Sequence, residues 1–125
     1  MNNKGQSLVL FVLLIPLILL ILFMVYNIGQ MTLLRHELDN INVIAINFAI
    51  DKIDDEFVIN NTRELILKNK DDIDNIEINI DNNKIYISLE DNVSQNISLF
   101  KNIFLVKSSY VGYVDNDKRI IERYR

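Results

Sequence analysis

Residues 76–89 read IEINIDNNKIYISL. Ile76, Ile78 and Ile80 alternate with Glu77, Asn79 and Asp81, and Ile85, Ile87 and Leu89 alternate with Tyr86 and Ser88. A period of two places every isoleucine on one face of an extended chain. Asn82-Asn83 separates the two runs, and asparagine tolerates the positive φ that a two-residue hairpin turn demands. The stretch therefore predicts an antiparallel hairpin with one greasy face and one polar face. The greasy face needs a cover, and the cover has to come from elsewhere in the chain.

Downstream, a polar loop spans Asp91 to Asn96, and the run from Ile97 to Val106 is apolar without a clear period. A third strand is expected over about Leu105–Val114, ending at Asp115-Asn116-Asp117, and a short fourth over Lys118–Arg125 with Ile120, Ile121 and Tyr124. Upstream, Asp71-Asp72-Ile73-Asp74 is an acidic turn. Thr62 is the expected N-cap of a short helix, Arg63–Lys70, and Asn60-Asn61 breaks the pattern before it.

The cover lies further upstream. Leu34, Leu38, Ile41, Ala45 and Phe48 recur at spacings of four and three, and Val43, Ile46, Ile50, Ile53 and Phe57 form a neighbouring stripe. That is a broad apolar helix face, with Arg35, Asp39, Asn40, Asn42, Asn47 and Asp51 filling much of the remainder. The helix continues towards the N-terminus into a segment of another kind. From Leu8 to Tyr26 there is no charged and no strongly polar side chain. Nineteen residues at 1.5 Å each make a helix roughly 28 Å long, close to the roughly 30 Å hydrocarbon core of a bilayer. Tyr26 stands where an interfacial aromatic belongs. Pro16 removes a backbone donor, frees the carbonyl of Val12 and predicts a kink. Gly29 marks the bilayer edge.

The fold class expected is α+β: a long N-terminal transmembrane helix extending into a soluble part and packed on a small antiparallel sheet of three to four strands. One helix is expected over 6–58, with its membrane span at 8–28, followed by a small extracytoplasmic α+β domain over 59–125. A cleaved secretory signal fits poorly. The apolar run exceeds the roughly 7–15 residues of a signal core, and the chain's alanines, Ala45 and Ala49, supply no small-residue cleavage site near it. Lys4 and the α-amino group favour a cytoplasmic N-terminus in the inner or plasma membrane, with the C-terminal domain outside.

Chemistry-bearing residues are sparse. The 125-residue chain has no cysteine, which excludes disulfides and thiol nucleophiles. His36, its one histidine, forms neither a metal pair nor a nucleophilic triad. Asp51, Asp54, Asp55 and Glu56, and likewise Asp71, Asp72 and Asp74, lack the ordered carboxylate loop with a central glycine that calcium needs; they read as helix ends and solvated turns. Three glycines build no phosphate cradle. Thirteen basic against seventeen acidic residues, net −4, leave no electrostatic footprint for nucleic acid. Tyr86, Tyr110 and Tyr113 are expected to pack on the sheet. No enzyme, no cofactor, no metal and no small-molecule substrate is expected.

The N-terminal junction carries a resemblance. Gly5-Gln6-Ser7-Leu8-Val9-Leu10-Phe11, followed by Ile15-Pro16 and Asn27-Ile28-Gly29-Gln30, resembles the start of TadE-like pseudopilins of tight-adherence (Flp) type IV pilus systems. The resemblance covers about residues 4–60. It implies residues 1–5 as a prepilin leader, a prepilin peptidase cutting between Gly5 and Gln6, and a membrane helix whose assembly positions include Leu10, Phe11, Pro16, Tyr26 and Gly29. It further implies a minor pseudopilin or pilus assembly subunit acting by helix packing, with other pilins and pilus assembly membrane proteins as partners. One position departs from the pattern: where the family carries a glutamate before the aromatic residue, this chain has Leu10. A second reading stays open, that of a single-pass membrane accessory or sensor protein with a small extracytoplasmic domain for a ligand or partner.

Overall fold

The computed structural model describes residues 3–93 and 104–124. Helix α1 (Asn3–Asp51) is followed by helix α2 (Val58–Asn69) and four strands, β1 (Asn75–Asp81), β2 (Lys84–Asn92), β3 (Leu105–Asp115) and β4 (Lys118–Arg123). The strands form one antiparallel sheet in the order β1-β2-β3-β4. The architecture is thus the expected α+β arrangement.

The hairpin forms around the expected turn. Asn82 and Asn83 have φ of 51° and 61°, the pair of positive values of a type I′ turn, whose twist suits a two-residue connection. Ile78 lies opposite Ile87 and Ile80 opposite Ile85, so the isoleucines share a face. Asn116 and Asp117, with φ of 50° and 64°, repeat the device between β3 and β4.

The cover is α1. Leu38, Ala45 and Ile46 are fully buried against Ile85, Ile87 and Leu89. The approach is closest at β3. A Cβ built on Gly112 would lie 2.1 Å from Ile46 Cγ2 and 3.1 Å from Ile50 Cδ1. Only a residue without a side chain lets the helix seat there.

Several boundaries differ from the sequence expectation. α1 ends at Asp51, not near 58. Asp51, Asp54, Asp55 and Glu56 put negative charge where the helix C-terminus is itself partially negative. The Asp55 side chain also accepts the Phe57 N–H at 3.0 Å, closing a turn that competes with further helix. Phe57, assigned to the apolar stripe, is exposed. Thr62 is not an N-cap: it lies inside α2, where its hydroxyl donates to the Val58 carbonyl at 2.6 Å. Val58, Thr62 and Ile66, four residues apart, form the buried row of α2, and packing of that row outweighs the weak helix propensity of Asn60 and Asn61. Asp91 and Asn92 belong to β2 and not to a loop, paired with Val106 and Leu105. Val93 follows β2 directly, its N–H donating to the Phe104 carbonyl at 3.3 Å; residues 94–96 of that expected loop, and 97–103 of the run after it, lie outside the described residues, as does Arg125.

Candidate functional site

All the residues singled out for membrane and assembly roles lie on α1. From residue 3 to 22 every position is exposed, and the core cluster takes no residue from this stretch. Twenty residues give about 30 Å of helix, enough for a bilayer core. Gly5, Gln6, Leu10, Phe11 and Pro16 all sit on this stretch, and the helix continues through Pro16 and Gly29. Among the described residues α1 is the one helix long and apolar enough to cross a membrane.

The domain meets the helix from Phe23 onwards. Phe23 is half-buried, its ring edge-on to that of the buried Phe104 with centroids 6.4 Å apart. Asn27 is buried too, and donates its Nδ2 to the Phe23 carbonyl at 2.8 Å, so a polar group in apolar surroundings is satisfied within its own helix. The covered side of α1 then runs through Leu34, Leu38, Ile41 and Ala45. Another row stays open along the whole length: Ile15, Leu19, Leu22, Tyr26, Gly29 and Leu33, at alternating spacings of four and three. That is the seam spacing of helices packed side by side. Tyr26 is 66% exposed, and an added Cβ at Gly29 meets nothing within 4 Å. The row begins in the membrane-length segment and continues beside the folded domain.

Polar residues that pattern reading assigned to the solvent side of α1 instead anchor the domain. Asn42 is fully buried. Its Nδ2 faces the carbonyl oxygens of Ile87 and Ser108 at 3.1 and 3.2 Å and the Ser108 hydroxyl at 3.3 Å, while its Oδ1 is buried with no partner. Asp39 accepts from Ser108 Oγ at 2.6 Å and from Arg123 at 2.8 Å. Arg119 holds Asp51 and the Asn47 side chain. β4 is thereby tied to the helix by two arginines, and its Ile121 packs against the core beside Gly112. The one available signal was Asn42's position between Ile41 and Val43 within the apolar arc.

The expected tyrosine packing divides between the two faces. Tyr86 lies edge-on to Tyr124 at 5.4 Å, and Lys84 sits over the Tyr113 ring at 4.7 Å, both on the side away from α1. Tyr110 packs on the helix side and accepts from Arg123 at 3.2 Å.

A buried ion pair stands at the end of β2. The Asp91 side chain is 1% exposed and lies 3.5 Å from Lys70 Nζ, which also holds Asp72 at 2.9 Å. Burial pushes the Asp91 carboxyl above the ordinary 3.8; the Asn92 N–H and the Lys70 charge draw it only partly back, and Asp74 and Asp72 raise it further. Burial alone would lower the Lys70 ammonium, but its hydrogen bond to Asp72 and the charges of Glu37, Asp72 and Asp91 outweigh this and hold it above 10.5. A carboxyl that binds its proton more tightly folded than unfolded stabilises the fold fully below its unfolded value and loses that contribution as pH rises through the folded one. Relative to Asp91→Asn, the wild-type chain should therefore lose stability from pH 3.8 upwards, then level off. Urea unfolding of both proteins in detergent at stepped pH checks this; a pH-independent difference would contradict it.

Comparison with known proteins is restricted to this same helix. No curated protein and no solved structure gives a match. The family described as "Putative Flp pilus-assembly TadE/G-like" matches residues 5–41. That family is one of pilus assembly and not an enzyme class. The segment that carries the open row and the exit from the apolar stretch therefore matches the TadE/G-like family of Flp pilus assembly, and the match supports a role in assembling a pilus.

Proposed function

We propose that this chain is a membrane-anchored minor pseudopilin or assembly subunit of a Tad/Flp-type pilus, working by helix packing and protein contacts. In this reading residues 8–28 hold the chain in the inner or plasma membrane, the N-terminus is cytoplasmic and the sheet domain lies outside. Prepilin peptidase removes residues 1–5, and the open row from Ile15 to Leu33 receives other pilins or membrane components of the apparatus. The observation that carries the reading is the uncovered apolar cylinder of residues 8–22 within a segment that matches a pilus-assembly family. So much apolar surface is stable only in lipid or among similar helices.

The test is the mature N-terminus of protein taken from native membranes. Intact mass and N-terminal sequencing should show a chain beginning at Gln6, resistant to carbonate extraction and co-isolating with pilus assembly proteins. Gly5→Val should stop the trimming and leave the chain in the membrane. An added Cβ at Gly5 meets nothing within 4 Å, so loss of trimming would report on the protease and not on folding. Recovery as a soluble species lacking the helix would refute the proposal.

Leu10 favours the second reading, an uncleaved single-pass accessory or sensor protein. It is an exposed leucine where the resemblance implies a carboxylate to pair with a neighbour's amino terminus. A membrane-resident chain still starting at Met1 would select that reading.

A further inference from the structure

The domain has a groove where the membrane would end, and the surface around it indicates what fills it. Phe104 lies against Phe23, so the start of β3 reaches back to the helix level at which the wholly exposed apolar cylinder stops. The next residue, Leu105, is 43% exposed. Together with Ile28, Met31, Thr32, Arg35 and Val106 it lines a groove of about 310 Å³ between α1 and β3, at the lower end of the size of small-molecule pockets.

Its walls are apolar, and its one charge is Arg35. The Thr32 hydroxyl already donates to the Ile28 carbonyl at 3.1 Å. Arg119 and Arg123 hold Asp51 and Asp39, whereas Arg35 makes no ion pair among the described residues. An arginine without a counter-charge presents a planar, bidentate donor fork suited to a phosphate. The vertical order also fits. Ile28 and Arg35 are one heptad apart, about 10 Å along the helix. The headgroup layer is about 5–7 Å thick on each side of the hydrocarbon, and an arginine stem reaches back towards it along apolar surface. Hydrocarbon contacts thus lie on the membrane side of the groove and a cation on the water side.

We propose that the groove binds one phospholipid of the membrane that α1 crosses, with its phosphate on Arg35 and the upper part of an acyl chain against Ile28, Met31 and Leu105. The proposal rests on the membrane reading given above. It is carried by the continuity of the groove with the exposed apolar helix and by the unpaired charge at its outer end. The bound lipid would fix the height of the domain over the bilayer.

The test uses the full chain reconstituted into phosphatidylglycerol vesicles containing a trace of phospholipid with a photoactivatable diazirine near the glycerol end of one acyl chain. Cross-linked peptides should show a clear excess at Met31 and Leu105 over other headgroup-level positions. Arg35→Gln should reduce that excess about tenfold, as loss of a charge-assisted pair implies, and Arg35→Lys should restore part of it. Both replacements are on an exposed position, and unchanged circular dichroism confirms folding. Leu105→Ser should lower the yield without touching the charge. Uniform labelling along residues 8–22 with no excess at the groove, or an Arg35→Gln yield equal to wild type, overturns this site and leaves the membrane reading standing. Failure of the wild-type chain to enter the vesicles overturns both.

Discussion

Gly112→Val is expected to unfold the domain at temperatures where the wild-type chain is stable. The position admits no side chain: the first added carbon would sit 2.1 Å from Ile46 Cγ2 and 3.1 Å from Ile50 Cδ1. Ile46 is itself fully buried, and its Cγ2 hangs directly on the β-carbon, so it cannot swing aside as the end of a long chain would. Relief requires α1 to lift from β3, which would also weaken the Asn42 and Asp39 hydrogen bonds to the same strand. Overpacking a core commonly costs about 1–3 kcal/mol and occasionally more. Valine, branched at the clashing atom, belongs at or above the top of that range. For a domain whose total stability is of the order of 5–15 kcal/mol, that is a large share. The cause is separable by a double-mutant cycle with the smaller change Gly112→Ala. Ile46→Ala removes Cγ2 and by itself leaves a cavity, but it should make Gly112→Ala much less damaging. Additive effects in urea unfolding would show that the close approach is not what glycine serves.

The parts of this fold that could be read in advance are those decided locally. Alternating isoleucines around Asn82-Asn83 specify both the pleat and the turn, and the spacing of Leu34, Leu38, Ile41 and Ala45 specifies which side of α1 faces them. What escaped reading depends on distant partners. Asn42 is buried because Ile87 and Ser108, 45 and 66 residues away, present hydrogen-bonding groups to it; nothing beside it in the chain announces them. Asp91 looked like loop because its counter-ion Lys70 lies 21 residues away, just past the end of α2. Thr62 has the composition of a cap, and its interior position was decided by the row it shares with Val58 and Ile66. The open row on α1 was illegible for a different reason. Between Leu8 and Tyr26 nearly every side chain is apolar, so no polar residue sets the phase of the helix. The row becomes defined only when the domain covers the opposite side and Gly29 and Leu33 are seen to continue it.

Leu14→Arg combined with Ile18→Arg is expected to separate the two halves of the molecule. These positions lie four apart on the exposed part of α1, near the centre of the apolar stretch and hence at the middle of a bilayer. On insertion scales an arginine there costs about 2.5–3.5 kcal/mol, and each leucine or isoleucine lost forgoes about 0.3–0.6 kcal/mol. The pair thus removes about 6–8 kcal/mol of preference for the membrane. One arginine leaves a run that still inserts; two, placed one helical turn apart, remove any continuous span of bilayer length. The chain should leave the carbonate-resistant fraction and, kept soluble by mild detergent, should still show the cooperative unfolding of the domain. Domain folding should survive because the covered side of α1 begins only at Phe23 and Asn27, and the core takes from α1 only Leu34 and later residues together with the half-buried Met31. Gly112→Val should do the reverse, with the anchor retained and the domain lost. A double-arginine chain that stayed fully membrane-integrated would mean that something other than residues 8–22 anchors it. One that lost its domain transition would mean that the lipid-length segment supports the fold in a way its exposed surface does not account for.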